Sequence, residues 1–198
     1  PILIGRESVI RDFEEALDNG AGAPGRLMLI SGQRGFGKTV MLTELGRVAK
    51  KHDWAVVSDT ASNGLCERLV TALSSGGLRF GGATISPSVG VGGMVSASLG
   101  SVSISPSNAA LTLRGAIEAR LKRMPDGKGV LFTIDEAQAA PEEDLVAVAT
   151  AIQHVLRDED MRDVSDARKH GVAFVFAALP SMVDEVLNNK VLTFLRRS

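Results

Sequence analysis

The chain has 198 residues, 44% of them hydrophobic and 23% charged, enough to bury a core and unlike either a miniprotein or a disordered tail. Its 22 Lys and Arg against 23 Asp and Glu leave a net charge of -1, which excludes the broad electropositive field of a dedicated nucleic-acid binder, though not a local basic patch. Aromatic residues make up only 4%, with one Trp and no Tyr, which argues against a base-stacking platform for single strands, while 21 glycines raise the question of where they sit.

One cysteine, Cys66, rules out an internal disulfide and any Cys-based zinc cluster; it suits a reducing compartment, so a cytoplasmic location is expected. No apolar run reaches the roughly 20 residues that a membrane-spanning helix needs. The chain opens on Pro1-Ile2-Leu3-Ile4 and closes on Leu195-Arg196-Arg197-Ser198 in sequence of helical type, which reads as a piece of a longer protein.

In chain order, Val9, Ile10, Phe13, Ala16 and Leu17 recur at helical spacing and predict a helix over 6–19, closed by Asn19-Gly20 through Pro24-Gly25. The run 26–31 (RLMLIS) predicts a strand buried on both faces, and a glycine-rich turn over 32–37 follows it directly. Met41, Leu42, Leu45, Val48 and Ala49 predict a helix over 38–51; a strand over 54–58 and a helix over 65–73 come next. A helix over 109–123, a strand over 129–134, a helix over 142–157 and a strand over 172–178 complete the alternation, with the charged stretch 158–170 read as a solvated helix end or loop. Strands alternating with helices imply right-handed crossovers and a parallel sheet covered on both faces, a three-layer α/β fold.

The stretch 74–107 interrupts this rhythm, being rich in Gly and Ser with Arg79 as its one charged residue. Val89, Val91, Val95, Ala97 and Leu99 fall on odd positions, and Val102 and Ile104 on even ones, the phase reversing at Gly100-Ser101. Such a reversal suits a β-hairpin insertion, used for packing or for contact with a protein partner; a flexible linker is the alternative.

Gly32-Gln33-Arg34-Gly35-Phe36-Gly37-Lys38-Thr39 matches G-x-x-x-x-G-K-[ST] between a strand-like and a helix-like run. The spacing has a physical basis: backbone N–H groups of Gly35, Phe36, Gly37, Lys38, Thr39 and Val40 must turn inward around phosphates, with glycine where a Cβ would clash or φ is positive. The side chains of Arg34 and Phe36 are expected to point outward. Lys38 would reach the β- and γ-phosphates of a nucleotide, and the Thr39 hydroxyl would complete a Mg²⁺ shell at the mouth of the following helix. The second signal is 130–136 (VLFTIDE), an apolar strand ending in two acids. Carboxylates there need a cationic or protic partner: Asp135 suits Mg²⁺ and Glu136 the water that attacks a γ-phosphate, or else they form an acidic cluster at a helix N-terminus with Asp135 as its cap.

Together with Ile4-Gly5-Arg6-Glu7 ahead of the loop, these two motifs, of Walker A and Walker B type, resemble the AAA+ P-loop ATPases, and within them the origin-recognition-like and STAND-like bacterial and archaeal members. The resemblance implies ATP with Mg²⁺ as cofactors and hydrolysis to ADP and phosphate that drives conformational change in a larger protein. It also implies that Leu3, Ile4 and Gly5 pass beside the adenine, and that the strand 172–178 lies between the loop strand and the acidic strand. Related ATPases end that strand in a polar sensor, which Ala177-Ala178-Leu179-Pro180 lacks. Ser181 is the nearest polar candidate, unless it caps the next helix. Arg196 and Arg197 close the chain where relatives carry an arginine finger that serves a neighbouring subunit, Arg197 being the better placed; a solvated basic helix end is the plain alternative. The helical lid of the family is expected outside this chain. A nucleotide-dependent switch or assembly module with little turnover is the alternative function, and the ATPase part of a DNA-remodelling protein a further one, with weak DNA binding expected of this piece alone. His52, His154 and His170 match no metal-ligand spacing, Cys66 reads as a core residue, and Gln138 suits either contact with the attacking water or packing at a helix start.

Overall fold

The computed structural model describes residues 6–19, 25–74, 106–160 and 171–181. Their elements are α1 (Glu7–Asp18), β1 (Leu27–Ser31), α2 (Lys38–Lys51), β2 (Ala55–Thr60), α3 (Leu65–Ser74), α4 (Pro106–Leu121), β3 (Gly129–Asp135), a short 3-10 turn (Ala137–Ala139), α5 (Glu142–Asp160) and β4 (Gly171–Ala178). The strands form a parallel sheet in the order β1-β4-β3-β2, which puts β4 between the loop strand and the acidic strand as expected. The hairpin expected within 74–107 lies outside the described residues.

Alternation along each strand sorts side chains to two faces. Leu131 of β3 and Ala173, Val175 and Ala177 of β4 face one side, where Phe13 and Leu17 of α1 and Met41, Leu42, Leu45 and Val48 of α2 cover them. The intervening Val130, Phe132, Ile134, Val172, Phe174 and Phe176 face the other, under α3, α4 and α5. There Phe132 and Phe174, which are paired in register, stack with ring centroids 4.3 Å apart, and each such buried ring contributes about 1.5–3 kcal/mol. Leu113, Ile117 and Leu121 repeat every fourth residue in α4, as Leu65, Leu69 and Leu73 do in α3, so each helix buries one stripe and leaves the rest to water. Cys66 is buried among them, and burial, with the nearby Asp144 and Glu67 charges adding to it, pushes its thiol up to about 12, as befits a packing residue and not a nucleophile.

Two local expectations change. Leu27 to Ile30 are half-buried instead of enclosed on both faces, because β1 lies at the margin of the described sheet. Val9 of α1 remains exposed while Phe13, Ala16 and Leu17 are buried. Asp158, in the last turns of α5 and half-exposed, accepts a hydrogen bond from Arg114 and so ties the end of α5 to α4.

Helix ends are held from outside their own segments. Arg26 donates through Nε to the Ala16 carbonyl at 2.7 Å and through a terminal nitrogen to Leu17 at 2.9 Å, which closes the carboxyl end of α1, while its guanidinium lies 4.9 Å over the Trp54 ring. Asp144, in the first turn of α5, accepts the Leu65 N–H at 3.0 Å and so caps α3. Within the sheet, the buried Thr133 hydroxyl donates to Ser58 Oγ at 2.7 Å, giving an otherwise costly polar group a partner across β3 and β2.

Candidate nucleotide site at the carboxyl end of the sheet

In parallel α/β sheets, functional groups gather beyond the carboxyl ends of the strands, where the chain turns outward into helices. Here β1 runs into the Gly32–Thr39 loop, and α2 starts at Lys38 with Gly37 as its N-cap in the left-handed conformation, φ 76°, without a side-chain cap. Gly35 is also left-handed, with φ 82°. Both conformations are strained for residues with a Cβ, so the chain needs glycine at these two places. Gly32 differs, since its φ is not in that region and an added Cβ would meet Phe36 Cβ at 3.5 Å, an ordinary contact. The uncapped first turn directs the amides of Lys38, Thr39 and Val40 toward the loop, since these lack carbonyl partners within the helix.

Lys38 is 6% exposed, and its ammonium donates to the carbonyls of Gly32 at 2.8 Å and Gln33 at 3.2 Å, which ties the helix start back across the loop. Thr39 Oγ1 donates to Asp135 Oδ2 at 2.5 Å. That bond joins the first turn of α2 to the last residue of β3 across 96 positions of sequence. The other oxygen of Asp135 accepts the Glu136 N–H at 2.8 Å, and its backbone carbonyl accepts the Ala61 N–H at 2.8 Å. Glu136 is left-handed with φ 50°, unusual for a residue with a side chain, and this turns the backbone out of the strand at the second acid. The two acids therefore have separate placements: Asp135 lies against Thr39 instead of capping a long helix, and Glu136 heads a 3-10 turn.

A threonine hydroxyl beside a carboxylate oxygen is the hard, oxygen-only donor set that Mg²⁺ takes, with its remaining positions left to water and phosphate. Among the described residues no three His, Cys, Asp or Glu side chains converge to form an all-protein metal cage.

Gly32, Gly35, Phe36, Gly37, Lys38, Thr39 and Val40 thus share one mouth with Asp135 and Glu136. The Phe36 side chain is 65% exposed. Ile4, Gly5 and Arg197 lie outside the described residues. Ser181 is exposed, and it is helical together with Pro180, so it stands within helical backbone and not ahead of it as an N-cap. Proline suits the first helical position because it has no N–H to leave unpaired.

Two residues gain roles that their sequence positions did not suggest. Arg6 donates to the carbonyls of Phe36 at 2.5 Å and Gly37 at 3.2 Å, so the residue just before α1 braces the loop from behind. Gln138 donates to Glu136 Oε2 and accepts the Leu179 N–H at 3.2 Å, which links the second acid to the end of β4. The one available signal was the placement of Arg6 beside Gly5 and of Gln138 two residues past Glu136; neither spacing specifies a partner. His52, at the end of α2, lies 3.0 Å from Glu14 and 3.3 Å from Asp18, remote from this mouth, and His154 is exposed.

Among solved structures, the Aeropyrum pernix ORC2 protein, determined as ADPNP and ADP complexes, shares the fold with a TM-score of 0.51 and 19% identity over 100% of this chain and 47% of that one. The crystal structure of a DNA replication initiation factor is similar with a TM-score of 0.48 and 14% identity, over 100% of this chain and 46% of that one. The chain spans about half the length of each. No curated protein matches it in sequence. Among the described residues no helix is long and apolar enough to cross a membrane. The model of the AAA ATPase domain matches residues 2–184, nearly the whole chain, and the chain belongs to that family of ATPase domains.

Proposed function

We propose that this domain binds ATP with Mg²⁺ and hydrolyses it to ADP and phosphate, coupling the cycle to conformational change in a larger protein. The observation that carries the reading is the 2.5 Å bond between Thr39 Oγ1 and Asp135 Oδ2, which brings two oxygen donors from distant segments to the loop that Lys38 spans. The backbone amides from Gly35 to Val40 bind the phosphates, and Lys38 exchanges its carbonyl partners for β- and γ-phosphate oxygens. Thr39 and Asp135 would hold the metal, directly or through water, and Mg²⁺ bound there would offset charge on the phosphate oxygens. Glu136 takes a proton from water as the water oxygen bonds to the γ-phosphorus and the bond to the β–γ bridging oxygen breaks, leaving ADP and inorganic phosphate.

Glu136→Gln tests this assignment. It should lower turnover by about 10²-fold or more while leaving ATP affinity within about twofold. Turnover retained in that variant removes Glu136 from the chemistry.

A second reading, a switch in which binding and not turnover is the functional event, draws support from Ala177 and Ala178, which end β4 without a polar side chain. Negligible hydrolysis by the intact protein, together with ATP-dependent association, would favour it. The lone, buried thiol of Cys66 suits the cytoplasm, which we propose as its compartment.

A further inference from the structure

The carboxyl end of β4 holds a connection that the hydrolytic scheme does not use. Gln138 lies on the 3-10 turn after β3, with a half-buried side chain. Its amide nitrogen donates to Glu136 Oε2, and its amide oxygen accepts the Leu179 N–H at 3.2 Å. One side chain therefore joins two elements. Leu179 directly follows Ala178, the last residue of β4, whose carbonyl accepts the Gly32 N–H at 3.3 Å. Consecutive residues at the end of one strand thus hold the first glycine of the loop and, through Gln138, the carboxylate of Glu136.

The chemistry of the bridge calls for an amide. Glu136 Oε2 needs a donor and the Leu179 N–H needs an acceptor; a carboxamide supplies both on one short stem, whereas a carboxylate would repel Glu136 and an ammonium could not accept. The bridge also meets a need. The backbone of Glu136, left-handed at φ 50°, is held by its own N–H to Asp135 and by its carbonyl, which accepts the Ala139 N–H at 2.7 Å. These bonds fix the main chain, and Gln138 orients the carboxylate. Orientation matters because a reacting group displaced by about 1 Å loses on the order of 10²-fold in rate.

We propose that Gln138 is a positioning residue: it ties the Glu136 carboxylate to the end of β4, so that movement of the loop at Gly32 reaches the acid through the strand that both share. The transmission runs through contiguous hydrogen bonds and needs no polar side chain from Ala177 or Ala178. The catalytic consequence rests on the hydrolytic role proposed for Glu136; the tether does not.

The test uses the intact protein and two variants. Gln138→Met keeps the length of the side chain and removes both hydrogen bonds, and Gln138→Glu keeps the acceptor for Leu179 but removes the donor to Glu136. Both should lower kcat by about tenfold or more with the ATP Kd within about twofold. An unchanged kcat in Gln138→Met, or a loss of kcat matched by loss of ATP affinity, overturns the positioning role. Selective ¹⁵N labelling of glutamine and leucine supplies a readout independent of turnover. The Leu179 amide should move in Gln138→Met, and the Gln138 side-chain amide pair should take different shifts in wild type and in Glu136→Ala, where its acceptor is gone. If Gln138→Met does not fold, the comparison of wild type with Glu136→Ala decides alone, and an amide pair at the same shifts in both overturns the tether. Wild-type protein that binds ATP without turnover would count against the hydrolytic reading, while the spectra would still support or overturn the bridge.

Discussion

At the carboxyl end of the sheet, Gly35 and Gly37 have φ values of 82° and 76°; a Cβ would meet nothing within 4 Å at Gly35 and a single Arg6 nitrogen at 3.5 Å at Gly37. At the amino end, Gly129 and Gly171 stand opposite each other in β3 and β4, and the reverse holds. Neither has a left-handed φ, but a Cβ on Gly129 would come 1.9 Å from the Gly171 carbonyl oxygen, and one on Gly171 would come 2.3 Å from the Trp54 ring and 2.6 Å from Arg26. The same residue type thus serves conformation at one end and volume at the other. One end leaves space beside the backbone, and the other is filled by Trp54 and by Arg26, which also closes α1.

Substitutions separate the two roles. The largest effect on stability is expected at the amino end: Gly171→Ala should cost about 2–4 kcal/mol, because the Trp54 ring and the Arg26 guanidinium must both give way. ATP affinity should be unchanged at temperatures where the variant is folded. Chemical denaturation and nucleotide titration measure the two quantities, and a fall in affinity without a fall in stability would erase the contrast.

Gly37→Ala should show the opposite balance, costing only about 1–2 kcal/mol from the left-handed backbone while ATP affinity falls by about tenfold or more. Gly32→Ala provides the control within the same loop. Without a positive φ, and with only ordinary contacts around its Cβ, it should stay within about 0.5 kcal/mol of wild type. A large thermal shift in Gly32→Ala would mean that the loop depends on glycine at that position for a reason other than conformation or space.

A small, pH-dependent effect belongs to the clamp between α1 and α2. The hydrogen bond to Glu14 raises the His52 pKa above its ordinary value, with the Asp18 charge adding to it and partial burial opposing. Because the folded value is the higher one, this stabilisation is complete below the unfolded value near 6.5 and is lost as pH rises through the folded value. Glu14 and Asp18 are 48% and 64% exposed, so salt screens the clamp. Wild-type stability should fall relative to His52→Gln by less than about 1 kcal/mol on raising the pH from about 6 to 8. Identical pH dependence in the two proteins would leave the clamp without energetic weight.

Much of this architecture is legible in the sequence, because it depends on local pattern. The apolar periods of α2, α3 and α4, the buried run of β4 and the glycine spacing of the loop each point to their element, since side-chain periodicity has to match backbone geometry. The residues at the mouth were legible for the same reason, as a loop between strand and helix and an acid pair at a strand end. Partners were not. Nothing in the spacing of Arg6 says that it braces Phe36 and Gly37, or in that of Gln138 that it reaches Leu179, because those contacts form only when segments 30 or more residues apart meet.

Sequence by itself determined the element types, the parallel α/β class and the placing of Gly32 to Thr39, Asp135 and Glu136 at the ends of strands, since hydrophobic period and turn chemistry act within a few residues. Tertiary structure alone decided which hydrogen-bonding groups satisfy one another: Asp144 capping α3, Arg26 closing α1, Thr39 against Asp135, and Gln138 between Glu136 and β4. It also separated Gly35 and Gly37, needed for conformation, from Gly129 and Gly171, needed for space. A buried polar group requires a partner, but which one it finds depends on how the sheet and its two helical layers pack.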